Sequence, residues 1–517
     1  MTDWNEGYVT DITYTRGFYR ELSPVWLATA ALLLGHRPPD LARPFRWAEL
    51  GCGHALSATV FAAAFPQAEF WGFDFNPAHV ESARLLAAGA GLTNLHLEEA
   101  SFAELAARPD TALPQFDFVV AHGIYSWVGR DAQLQVVDFL RRRLLPGGLA
   151  YMSYNLLAGS TAITPLRPLM RLLAEAIPGP PDAAVPGILD FLNRLHAGGA
   201  TFFADNPTAA PRLSALAAAD PRFFAHEYLN RNWTAFTSSE VAADLAEAKC
   251  SLIGSAALLD NIDTFSIPAG LIEIMGQLRD PRLREAVRDI ACPQAFRRDL
   301  FRRGTERLPA AEYGALLDRI TLIGLGKPAA EPFTFATPLG PVNGLPSVLG
   351  PLLSLLEAAP LTLHAARSSA GLDMLPIKDL LQTFALLVSG GYAHPAVPGA
   401  PAIASARGLN LEIARRNELG HVMPGLAAPA IGSALPADPV EIAMVANRLA
   451  GEARSPAAMT EHLMGSLART GGTVQREGRP VTDPVQARAI IEGLVTAFEQ
   501  KQQAAVPLYR RLGVFAD

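Results

Sequence analysis

The chain has 517 residues, half of them apolar and 18% charged. That composition excludes disorder as the main state, and at roughly 150 residues per domain the length predicts about three or four domains. A net charge of −7, from 43 Lys and Arg against 50 Asp and Glu, argues against a polyanion-coating protein, so no nucleic-acid partner is expected.

Cys52, Cys250 and Cys292 lie far apart, which leaves no disulfide framework and no CxxC redox or metal motif. No metal site is expected. The N-terminal MTDWNEGYVTD is acidic and polar, unlike a secretory signal. The apolar run from Pro24 to Leu34 is about half the length that spans a bilayer. Together these features predict a cytoplasmic protein with no membrane partner.

Residues 45–155 alternate short apolar runs with helical patterns. The expected strands are Arg46–Leu50, Glu69–Phe73, Leu95–Glu98, Phe116–Ala121 and Leu149–Ser153. Helical stretches at Ala55–Phe65, Pro77–Ala88, Phe102–Ala107 and Ala132–Leu145 fall between them. Such alternation predicts an α/β fold, a parallel sheet with helices on both faces, and gives a first domain over residues 1–164. Helical patterns at Leu166–Ala176 and Val185–His196, split by IPGPPDAAVPG, predict a helical insertion over 165–222.

Over 223–274 a helix (Ser238–Ala248) and an apolar run (Ser251–Leu259) read as a return to the first sheet. A middle domain is expected over 275–358, with RDPRLREAVRDI, AFRRDLFRRG and AAEYGALLDRI as charged amphipathic helices and TFATPLGPVNG as a turn-rich connector. The arginine runs at Arg141–Arg143 and in RRDLFRRG read as solvated helix faces. The remainder, 359–517, reads as helical, with GGTVQREGRPVTDP as a hairpin or wing that gives a winged-helix-like character.

The first motif is WAELGCGHA, which closes the first strand and opens the first helix of the sheet. Gly51 and Gly53 permit backbone conformations and a ligand approach that a Cβ would block, and the following helix N-terminus offers free N–H groups. Alone, the pair also suits an ordinary strand–helix turn. Asp74, 23 positions after Gly51 at the end of the second strand, sits where an acid accepts both ribose hydroxyls of a nucleoside. Its other reading, a helix N-cap, is better filled by Asn76. Glu49, two residues before the first glycine, suits a ligand with a cationic amine rather than a phosphate.

With Asp74, this ExGxGxA turn resembles the class I S-adenosylmethionine (SAM) methyltransferases. The resemblance implies SAM as cofactor, Glu49 near its methionine end, Gly51 and Gly53 in the cofactor turn, and Asp74 on the ribose. It places Glu99 and Ala100, closing the third strand, at the adenine, with Phe75 packed on that ring or in the core.

FDFVVAHGIYSWV and LLPGGLAYMSYN end strands four and five, which flank the switch point where ligands enter doubly wound sheets. With HEYLNRNW and the N-terminal YVTDITYTRGFYRELSP, they resemble a bacterial methyltransferase group that carries a regulatory domain and includes rickettsial protein-lysine methyltransferases. The likeness covers residues 8–310. It implies methyl transfer to a protein side chain, a lysine amine before others. A small-molecule acceptor and a SAM-binding scaffold without turnover are the alternatives. Ala158-Gly159 follows SYN where the lysine-methylating members tend to have Pro-Gly.

For the acceptor pocket the candidates are Tyr125, Trp127, Tyr154 and Asn155. His122 is either a general base, also touching the cofactor, or a structural imidazole. Tyr14 and Tyr19 of the leader either cap the cofactor or simply pack over the sheet. By family analogy the insertion either mediates homodimerisation or covers the acceptor cleft.

Overall fold

The computed structural model describes residues 17–218, 220–327, 331–452, 454–476 and 479–516. Tyr14 lies outside the described residues. Seven strands form the main sheet: β1 Arg46–Leu50, β2 Glu69–Asp74, β3 Leu95–Glu99, β4 Phe116–Ala121, β5 Leu144–Asn155, β6 Cys250–Ser255 and β7 Phe296–Arg303. Their order is β3-β2-β1-β4-β5-β7-β6. The first five are mutually parallel, and β7 runs antiparallel to both β5 and β6. The chain reverses direction across the sheet between β1 and β4, so the ligand crevice lies at the carboxyl ends of these strands.

The helices of this layer are α1 Pro24–Leu33, α2 Leu56–Ala64, α3 Pro77–Gly89, α4 Phe102–Ala107 and α5 Arg130–Arg143, followed after the insertion by α6 Ser238–Ala246 and α7 Pro281–Ala291. Local chemistry sets their starts. Asn76 caps α3, its side chain accepting from Ala78 N–H at 3.0 Å, with Pro77 as the first helical residue. Ser101 and Glu104 form a capping box on α4. By contrast, the residue before α2, Ala55, is in the left-handed region (φ 48°) and offers no side-chain cap, which leaves the first N–H groups of the helix unclaimed by a cap.

All nine residues of α2 are buried, because a C-terminal helix, α8 Ile403–Glu418, packs over α2 and α3. The approach is close: a Cβ on Gly408 would lie 2.7 Å from the Ala90 carbonyl oxygen. Ser23 Oγ donates to the Gly432 carbonyl at 2.7 Å. The C-terminal region is thus seated on the sheet domain. Residues 157–228 form helices around their own apolar core of Met170, Ile188, Leu192, Leu213 and Phe224.

Three expectations are corrected. AFRRDLFRRG is strand β7, not a helix, and seals the sheet between β5 and β6. A boundary at residue 274 would therefore cut the sheet. TFATPLGPVNG is a hairpin, Thr334–Thr337 paired with Gly340–Asn343. Arg143 is not solvated: it is 3% exposed and donates to the Leu113 and Pro109 carbonyls at 2.9 Å. The hairpin expected near the C-terminus is present, Val474–Arg476 with Arg479–Val481.

Candidate functional site

A cavity opens at the carboxyl ends of β1, β2, β3 and β4. β1 delivers the turn: Gly51 N–H and Cys52 N–H both donate to the Phe73 carbonyl, at 2.8 and 3.0 Å. Gly51 and Gly53 adopt φ of +68° and +53°, which favours glycine. A Cβ on Gly51 would also strike Ile124 Cδ1 at 2.2 Å, whereas the space beside Gly53 is open.

β2 delivers Asp74, 6% exposed. Its Oδ2 accepts from Gly53 N–H at 2.8 Å and its Oδ1 from Asn76 N–H at 2.9 Å, with His79 Nδ1 at 3.3 Å. β3 is followed by Ala100, whose N–H donates to the Asp74 carbonyl at 2.9 Å.

Glu49 lines the cavity, 5% exposed, and its Oε2 is buried with no hydrogen-bond partner among the described residues. Burial, helped by the neighbouring Asp74 carboxylate, pushes its carboxyl up to about 8. An unpartnered carboxyl oxygen is unfavourable in a closed protein interior. It fits a ligand that brings its own cation.

The wall beyond β4 is aromatic. Tyr19, His122 and Trp127 line it. The Tyr19 and His122 rings lie 3.8 Å apart, and Tyr19 N–H donates to Ser57 Oγ at 3.1 Å. His122 Nδ1 lies 2.9 Å from the Tyr151 hydroxyl. Burial, with Arg298 nearby, drives its pKa down to about 3, so the imidazole is neutral across the physiological range and retains a proton poorly. Its partner is a tyrosine hydroxyl rather than backbone.

The cavity therefore gathers Glu49, Gly51, Gly53, Asp74, Phe75, Ala100, His122 and Trp127 of the expected residues, together with Tyr19. It does not gather the rest. Glu99 is exposed and stands outside the lining.

Tyr125 is fully buried and donates to Asp244 Oδ2 at 2.6 Å, a carboxylate that Arg130 also grips with two bonds of 2.6 Å. Tyr154, also fully buried, donates to Asp299 Oδ2. Neither lines the cavity. Asn155 N–H donates to Ser126 Oγ at 2.8 Å and its Nδ2 to Glu227 Oε1 at 3.4 Å, again outside the lining. These three side chains brace the sheet and the insertion rather than the cavity. Among the lining residues that sequence reasoning passed over are Ile124, Val128 and Asn232. Each sits inside a motif already conspicuous, HGIYSWV or HEYLNRNW, at a position whose side chain looked unremarkable.

Comparison with known proteins agrees with this architecture. A family model described as a methyltransferase domain matches residues 48–150, and one described as a predicted methyltransferase regulatory domain matches residues 220–303. The second span begins in the insertion and ends with β7, ahead of much of the middle domain expected over 275–358.

The uncharacterized protein sll1526 of Synechocystis is 33% identical over 514 residues, 99% of each chain. The trans-aconitate 2-methyltransferase of Methylobacterium radiotolerans is 32% identical over 213 residues, 41% of this chain and 70% of that protein. In structure, PKMT2 from Rickettsia typhi in complex with AdoHcy superposes with a TM-score of 0.67 at 18% identity, covering 97% of this chain and 99% of that one. With the reversed β7, the glycine turn and both family segments in place, the chain belongs to the class I SAM-dependent methyltransferases that carry a methyltransferase regulatory domain.

Proposed function

We propose that the enzyme methylates a protein side chain, a lysine amine, and that the cavity holds SAM with its adenosine toward β2 and β3 and its methyl toward the wall beyond β4. When bound, SAM supplies an electrophilic methyl on a sulfonium sulfur. Asp74 would accept the ribose hydroxyls, Phe75, Ala100 and Phe102 would enclose the base, and the unpartnered Glu49 would receive the α-ammonium. The open space at Gly53 and the uncapped start of α2 leave room for backbone contact.

The observation that carries the lysine reading is the uncharged aromatic wall of Tyr19, neutral His122 and Trp127. A lysine with the usual pKa is neutral in roughly one molecule in 2,500 at pH 7. A desolvated, uncharged wall disfavours the ammonium and raises that fraction. Aligning the amine in line with the methyl can then supply roughly 7–11 kcal/mol. The likeness to PKMT2, which runs through the accessory regions, supports a macromolecular acceptor. The likeness to trans-aconitate 2-methyltransferase supports a second reading, a small-molecule acceptor.

One experiment separates them. Full-length protein, methyl-labelled SAM and whole-cell lysate are incubated and fractionated. Label that stays with washed protein and appears as methyllysine after hydrolysis supports the first reading. Label confined to small molecules supports the second and retires the first.

A further inference from the structure

A second cleft lies at the opposite margin of the sheet from β3, along β6. β6 is the last strand in the sheet order, so one side of its backbone has no β partner among the described residues. Cys250, Ser251, Leu252, Ile253 and Gly254 all line the cleft. Successive residues of a strand point to opposite faces, so a cleft that touches all five runs along the strand's edge.

The Lys249 carbonyl accepts from Gly304 N–H at 3.1 Å, on the β7 side. By the alternation of antiparallel pairs, Cys250 and Leu252 then turn their N–H and C=O groups away from β7; Cys250 is closed off at 2% exposure, whereas Leu252 is half-buried and opens onto the cleft. Among the described residues no backbone hydrogen bond from another element closes Leu252. At Ser255 the edge is closed by a side chain that imitates a peptide: Asn261 Oδ1 accepts from Ser255 N–H, and Asn261 Nδ2 donates to the Ser255 carbonyl, both at 2.8 Å. The outward rung beyond Leu252 thus already holds an amide in the place of a neighbouring strand.

The walls are cationic. Arg279, Arg282, Arg284, Arg288, Arg307 and Lys378 line the cleft against three carboxylates, Asp263, Asp280 and Glu285. That local excess of positive charge stands in a chain of net charge −7. The carboxylates are already engaged: Asp263 with Arg288 at 2.7 Å, Asp280 with Arg282 at 3.2 Å, and Glu285 with Arg297 at 2.8 Å. Arg279, Arg307 and Lys378 are exposed and have no carboxylate partner among the described residues.

We propose that this cleft binds an extended acidic peptide segment, which adds to β6 as a further strand by backbone pairing, with the arginines and Lys378 meeting its side chains. Its role as the docking site of the methylated protein rests on the protein-acceptor reading above. At roughly 4.8 Å per strand, a segment docked outside β6 lies about 19 Å from β4. About six extended residues would span that distance, so the methylated side chain belongs about six residues from an acidic stretch.

The test uses the full-length protein and a fluorescein-labelled peptide of alternating Glu and Val, read by anisotropy. Expected is saturable binding that weakens about tenfold or more in the Arg279→Glu/Arg307→Glu/Lys378→Glu variant, with SAM affinity unchanged. Binding should vanish when the valine amides are N-methylated, and hydrogen exchange at the Leu252 amide should slow in the complex. No saturable binding, equal binding of the N-methylated peptide, or equal affinity for an oligothymidylate would overturn the proposal. Lysate labelling distinguishes its failure from that of the parent reading. Protein labelling that is equal in wild type and variant removes the docking role and keeps the protein acceptor. Peptide binding without any labelled protein keeps the surface and removes the acceptor.

Discussion

Asp74 Oδ2 accepts a hydrogen bond from the backbone N–H of Gly53 at 2.8 Å. The acid assigned to the ribose is therefore also a strut of the glycine turn. Asp74→Ala should weaken SAM binding by about 100-fold or more, since charge-assisted hydrogen bonds contribute roughly 1.5–3 kcal/mol each. It should also lower the melting temperature of the ligand-free protein, because the Gly53 and Asn76 N–H groups lose their acceptor. Calorimetric titration with SAM alongside a thermal melt checks both. Unchanged affinity would remove Asp74 from the ribose.

Glu49 is expected to make cofactor binding pH-dependent. Its carboxyl titrates near 8 in the ligand-free protein, and a bound ammonium would lower that value. Binding near pH 7 should then release a proton, and affinity should rise with pH until it levels above about 8. The stability term has the opposite slope. A folded pKa above the unfolded value of about 4.3 gives a contribution that is complete below that value and is lost as pH rises through 8. Titrations in buffers of different ionisation enthalpy measure the proton count. Glu49→Gln should abolish the release and flatten the fall in melting temperature between pH 6 and 9. A proton count that the substitution leaves unchanged would assign the titration elsewhere.

Tyr125 and Tyr154 are expected to act on stability, not turnover. Tyr125→Phe leaves Asp244 in the grip of Arg130 and should cost about 1 kcal/mol. Tyr154→Phe strips a hydroxyl from the fully buried Asp299 and should cost about 1–3 kcal/mol. Methyl transfer to lysate, measured well below the melting transition, should stay within about twofold of wild type for both. Lost transfer with an unaltered melt would return them to the acceptor pocket.

What the sequence disclosed follows from how local the determining physics is. β1 and β4 occupy the expected ranges, because each is a short apolar run bounded by turn chemistry. Asp74 was legible because strand, turn and acid lie within one βαβ unit. Tyr154 of SYN falls outside the cavity lining by a parity that the sequence does contain. Ser153 Oγ accepts from Gly123 N–H at the cavity side, at 2.8 Å, so its neighbour Tyr154 must face the other way. β7 was hidden for a different reason. Its arginines resemble a solvated helix face until the carboxylates that neutralise them are known, and Asp289 and Glu285 arrive from α7.

That compensation is the most exposed to test. Arg297, 7% exposed, bonds Asp299 at 2.9 Å, Glu285 at 2.8 Å and also Asp289. Burial pushes the Asp299 carboxyl up to about 6, with Arg297 and the Tyr154 hydroxyl pulling it down. Removing this cation leaves Asp289 and Asp299 without an ion-pair partner among the described residues, while Glu285 keeps Arg288 at 3.3 Å, and breaking such a pair from one side costs about 3–5 kcal/mol. Arg297→Met should therefore lower the first melting transition by roughly 6–20 °C. Arg297→Lys, with a point charge in place of a planar fork, should fall between. If Arg297→Met melts within about 2 °C of wild type, water reaches these carboxylates and β7 is held by its ladder and apolar residues alone.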